Sequence, residues 1–132
     1  MEIFFAERNR VEFYGDVRPA LERLRSKYRL FAVSNGNADL HRCGIGELFD
    51  GHVTAISAGA AKPDARIFAA LVEMAGVRAA EILHVGDDPV ADVLGAGQAG
   101  LQSIWLNRGG VRDWPATLPP PARTISTLAE IS

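Results

Sequence analysis

Three carboxylates, Asp87, Asp88 and Asp92, fall within six positions, directly after the apolar run Ile82-Leu83-His84-Val85 and Gly86. A short apolar run without alternation suits a strand buried on both faces, and a glycine lets the backbone turn tightly as the strand leaves the sheet. Asp87 is therefore expected at the carboxyl end of a strand, the edge at which open α/β sheets bind their ligands. Mg²⁺ needs a few carboxylate oxygens while keeping several waters, so Asp87, Asp92 one helical turn on, and Asp88 are candidate metal ligands. The same residues also suit plain helix chemistry. Asp88 before Pro89 reads as an N-cap with proline in the first turn, and Asp92 as a complement to the helix dipole.

Two other stretches carry chemistry. Leu30-Phe31-Ala32-Val33 ends at Ser34-Asn35-Gly36-Asn37, which is either an ordinary Asn-Gly turn or a hydroxyl and backbone amides (Ser34, Asn35, Gly36) offered to an anion. The small-residue loop Ala58 to Asp64 carries Lys62, either a solvated charge or a point charge held over a phosphate. If the strands before these three stretches run parallel, all three lie on one edge of the sheet. A hydroxyl donor, a cation and a carboxylate metal site in one crevice is what a phosphoryl group needs.

The elements that must position them alternate between strand and helix. Asp16 reads as the N-cap of a helix with Val17, Ala20, Leu21, Leu24 and Tyr28 inward, and Asp64 as the cap of one with Ile67, Phe68, Leu71, Val72 and Ala75 inward, closed by Gly76. A short helix is expected from about Ala38, strands over His52 to Ser57 and Gln102 to Leu106, a helix over Val90 to Ala99 stopped by Gly100, and an edge strand over Arg123 to Ile125. This alternation points to a doubly wound, mainly parallel sheet. Gly95-Ala-Gly97-Gln-Ala-Gly100 matches G-x-G-x-x-G but closes a helix instead of opening one, so close packing is the better reading. Trp105 and Trp114 read as packing residues or loop anchors, and His41 with Cys43 as structural, since a metal pair would need a second cluster.

At 132 residues and 48% hydrophobic content the chain is expected to be one domain with a real core. A net charge of −2 argues against nucleic acid, and basic residues between Arg8 and Arg29 are interleaved with Glu7, Glu12, Asp16 and Glu22. No apolar run is long enough for a bilayer, and the single Cys43 excludes an intrachain disulfide. A cytoplasmic location is expected.

These motifs in this order resemble the haloacid dehalogenase (HAD) superfamily. Val33-Ser34-Asn35-Gly36 is similar to its second motif, Ala61-Lys62-Pro63-Asp64 to its third and Gly86-Asp87-Asp88-Pro89-Val90-Ala91-Asp92-Val93-Leu94-Gly95-Ala96 to its fourth. The resemblance covers about Val11 to Gly110, with spacing like that of members bearing a helical cap. It implies a Rossmann-like core and a Mg²⁺-dependent phosphatase of small phosphorylated metabolites. Ser34 would bond the transferring phosphoryl group, Lys62 would offset its charge, Asp87 would hold Mg²⁺, and Asp92 would support the metal or Lys62. The family's first motif, an apolar strand ending in Asp-x-Asp and carrying the nucleophile, does not occur in these residues. Residues 1–15 then read as a remnant of the last cap helix or the cap-to-core junction, and 16–132 as the core, with the nucleophile-bearing central strand and most of the cap missing. The chain alone is expected to bind Mg²⁺ or phosphate weakly and to turn over almost nothing. The alternative is a non-catalytic HAD-like binding or regulatory module. The missing strand's slot lies between Leu30-Val33 and Ile82-Val85. Three fates are expected for it: the strands close up, Ile3 to Phe5 fills it, or a second copy pairs there to give a homodimer.

Overall fold

Two buried strands with nothing between them would leave rows of backbone N–H and C=O groups unpaired, and the chain meets that need with its own first residues. In the computed structural model, which describes residues 2–7, 17–35, 46–107, 110 and 112–131, β1 (Glu2–Glu7) lies between β2 (Leu30–Ser34) and β4 (Ile82–Gly86) and runs parallel to both. Its segment Ile-Phe-Phe is rich in residues that favour strands. The cap-helix reading of residues 1–15 is thereby corrected over Glu2–Glu7; the rest of that segment lies outside the described residues. The inner edges expected to recruit a second copy are paired within the chain.

The sheet order is β3-β2-β1-β4-β5-β6, with β3 at Gly51–Thr54, β5 at Gln102–Leu106 and β6 at Thr124–Ile125, every pairing parallel. In such a doubly wound sheet the order reverses between β1 and β4, and the carboxyl ends of the strands there form the ligand crevice. Helix α1 (Val17–Arg25) buries Ala20, Leu21 and Leu24 against Leu30, Ala32, Leu83 and Val85 on one face. On the other face, α3 (Ala65–Ala75) buries Ile67, Phe68 and Leu71 against Phe31, Val33, Val53 and Ile82. Asp64 caps α3 by accepting the Arg66 N–H, and Gly76 closes it at φ 69°, a left-handed turn that favours glycine.

Elsewhere the expected boundaries shift. The strand anticipated to reach Ser57 stops at Thr54, because Thr54 and Ser57 form a reciprocal capping box that starts the short α2 (Ala55–Ala58). The helix expected over Val90 to Ala99 begins earlier, as a wide π turn over Pro89–Leu94, and continues as α4 (Gly95–Gln98). Of the three glycines there, Gly95 makes the close approach: a Cβ would lie 2.9 Å from Pro63 Cβ. Gly100 is needed for its φ of 87°, whereas Gly97 faces open space. The helix expected from Ala38, together with Gly36, His41 and Cys43, lies outside the described residues. No helix among the described residues is long and apolar enough to cross a membrane.

Candidate active site

Ser34 is the last residue of β2, Lys62 precedes α3, and Asp87 directly follows β4, so all three sit at the carboxyl edge of the sheet. Side-chain bonds stitch the intervening loops together. Asn35 accepts the Lys62 N–H through Oδ1 at 2.7 Å and donates Nδ2–H to the Lys62 carbonyl at 3.2 Å. This reciprocal pair fixes the Lys62 backbone against the end of β2, although 27 positions separate them. Lys62 Nζ donates to Asp92 Oδ1 at 2.5 Å, with both side chains almost wholly buried. Asp92 Oδ2 in turn accepts the Asp88 N–H at 3.1 Å, which carries the network to the loop after β4.

Asp92 reaches this position because the π turn brings it under Gly86. A Cβ on residue 86 would lie 2.3 Å from the Asp92 carboxyl carbon, so only glycine allows the approach. Its Oδ1 also accepts from His84 Nε2 at 3.2 Å. Burial raises the Asp92 pKa, but the His84 hydrogen bond and the Lys62 charge outweigh it and hold the carboxyl far below its ordinary range. His84 is fully buried edge-on to Phe68, 5.3 Å between ring centroids. Burial lowers its pKa and Lys62 lowers it further, against the pull of Asp92, so the ring is neutral with its proton on Nε2. Its Nδ1 has no partner among the described residues.

The remaining expected residues divide clearly. Ser34 is fully buried, and its Oγ lies 3.3 Å from His52 Nε2. Asp88 Oδ1 accepts the N–H groups of Val90 and Ala91, the N-cap of the π turn. Asp92 is bonded to Lys62 and His84 through Oδ1 and to the Asp88 amide through Oδ2. Asp87 is half-buried, and its carbonyl accepts from Trp105 Nε1 at 3.0 Å and from Arg112 Nη1 at 3.3 Å. Among the described residues no group of three or more His, Cys, Asp or Glu is arranged to hold a metal. The described carboxylates therefore do not build a complete Mg²⁺ site. His84 and His52 were not singled out by the sequence reading, because an in-strand histidine carries no signal of what faces it.

The two histidines give a pH dependence. Burial also lowers the His52 pKa. Unfolded histidine binds a proton near pH ~6.5, while the folded rings resist it, so stability falls as pH drops below that value. Asp92 works in the same direction but lower. Its contribution is complete above its unfolded pKa of ~3.9 and is lost only as pH falls toward the depressed folded value. The urea midpoint at pH 5.5 is expected below that at pH 7.5, with a shallower fall in His84→Gln; equal midpoints in the parent chain would contradict a neutral buried His84.

A family model described as "haloacid dehalogenase-like hydrolase" matches residues 2–100. The chain is 34% identical over 128 residues to the 5-amino-6-(5-phospho-D-ribitylamino)uracil phosphatase YigB of Escherichia coli, covering 95% of this chain and 53% of that one. It is 34% identical over 114 residues to phosphoserine phosphatase of Thermus thermophilus, covering 82% and 46%. The solved 2-haloacid dehalogenase of Pseudomonas syringae superposes with a TM-score of 0.84 at 36% identity, over 92% of this chain and 52% of that one. The chain thus spans about half the length of the curated relatives it matches. An uncharacterised protein from Listeria monocytogenes shares the fold over 98% of this chain and 93% of its own, with a TM-score of 0.83 at 19% identity.

Proposed function

The chain belongs to the haloacid dehalogenase-like hydrolase family, and we propose that it carries the phosphate-binding part of a phosphatase acting on small phosphorylated metabolites. The observation that carries this reading is the hydrogen-bonded run Asn35–Lys62–Asp92–Asp88, which ties together the loops after β2, before α3 and after β4. In this reading Ser34, Asn35 and the Gly36 backbone bind the phosphoryl oxygens, and Lys62, oriented by Asp92, offsets their charge. Asp87 would lend a carboxylate to Mg²⁺, and when bound the metal would neutralise phosphate charge. Two curated relatives are named as phosphatases of small phosphorylated molecules, which supports the substrate class.

The test is amide chemical-shift mapping with inorganic phosphate. Saturable shifts at Asn35, Lys62 and Asp87 are expected; shifts absent there, or scattered over the surface, would overturn the reading. A second reading is favoured by β1, which completes the sheet with residues holding no Asp-x-Asp. That suits a non-catalytic module which binds an anion or a partner at the same edge. The coding sequence upstream of the Met1 codon separates them: an in-frame apolar run ending in Asp-x-Asp favours the enzyme, and its absence favours the module.

A further inference from the structure

Away from the carboxyl-edge network, a cleft of about 620 Å³ lies between the Pro89–Gln98 helical segment and the 112–123 arm, over β5. That volume falls in the range of small-molecule sites, about 300–1,000 Å³. Val93, Leu94 and Leu101 line it from the helical side, and Trp114 with Pro119–Pro121 from the arm. The arm is braced against collapse into this space. Trp114 Nε1 donates to the Pro119 carbonyl at 3.0 Å, and Asn107 exchanges two bonds with the Arg112 backbone, at 2.8 and 3.1 Å. The prolines between add stiffness of their own.

The charge of the lining is one-sided. Among the described residues that line the cleft none is a carboxylate and Arg123 alone is charged, its Nη2 donating to the Glu130 carbonyl at 3.0 Å, while Gln98 and Ser103 add an amide and a hydroxyl. We propose that this cleft, with its apolar walls, its indole and its single guanidinium, is a binding site for a small aromatic anion, separate from the phosphate edge. The apolar body would lie against Trp114 and the leucines, and the anionic group would meet Arg123. Because Trp114 packs edge-on to Trp105 at 5.0 Å, and Trp105 holds the Asp87 carbonyl, a molecule bound against Trp114 is separated from Asp87 by one further ring.

The protein's two tryptophans are this pair, so intrinsic fluorescence reports directly on the cleft. The probe is 1-anilinonaphthalene-8-sulfonate, titrated into the folded chain and compared with its uncharged parent, 1-anilinonaphthalene. Saturable one-to-one quenching of the indole emission is expected. Gly97 lines the cleft and a Cβ there meets nothing within 4 Å, so Gly97→Leu starts into open space, occupies the cleft and should weaken the sulfonate at least ~10-fold. Arg123→Gln should weaken the sulfonate and leave the uncharged parent unchanged. Unsaturable quenching, or affinity unaltered in Gly97→Leu, would overturn the site; equal loss or no loss of both probes in Arg123→Gln would overturn the anionic class.

Discussion

Asp92→Ala is expected to destabilise the fold by about 3–5 kcal/mol, because it leaves the Lys62 ammonium buried without its counter-charge. Lys62 is only 7% exposed, and Asp92 is the partner of both its Nζ and His84 Nε2. Against a total stability of about 5–15 kcal/mol for a domain, that is a large share. Urea unfolding measures it through the midpoint at constant slope. The pair as a whole is a different matter: two charges taken out of water cost nearly what their attraction returns, so Lys62→Met with Asp92→Leu should recover most of the loss. A single Asp92→Ala loss under ~1 kcal/mol would show that water reaches Lys62.

The second large effect concerns turnover. If the phosphatase reading holds, the 132-residue chain should hydrolyse p-nitrophenyl phosphate at a rate lower by roughly six orders of magnitude than a family member with its nucleophile, the loss seen when another covalent enzyme is stripped of its own. The chain contains no Asp-x-Asp, and binding and charge offset by Lys62 do not form the covalent intermediate. Mg²⁺-dependent hydrolysis that is readily detected in the purified chain, and abolished by Asp87→Asn, would refute this and would require a nucleophile among the residues present.

The sequence made the three loop positions legible because each follows a strand or opens a helix whose apolar residues are easy to read: Leu30–Val33 before Ser34, Ile67 and Phe68 after Lys62, and Ile82–Val85 before Asp87. Two readings of Asp88 and Asp92 were open because an N-cap and a metal ligand draw on the same short carboxylates at the same spacing. In the structure the Val90 and Ala91 amides bond Asp88 Oδ1, and Lys62 and His84 bond Asp92. The π winding of Pro89–Leu94, which brings Asp92 against Gly86, has no periodicity signature in so short a segment. Nor does a strand's place in a sheet follow from its own residues. Ile3 to Phe5 announce an apolar load, but only the vacancy between β2 and β4 gives it a destination.

That destination shapes how the chain must assemble. Ile3 meets Leu30 across a loop of about 27 residues, whereas Glu2 meets Ile82 across about 80. Chain closure costs about 3 kcal/mol for the shorter loop and about 4 for the longer, before any constant common to both. The β1–α1–β2 unit is accordingly the cheaper nucleus to close, and β4 is expected to join it later, bringing the π turn and Asp92 with it. Refolding is thus expected to wait on a distant, in-register meeting of parallel partners, a class of step that runs slowly and leaves an apolar flank open meanwhile.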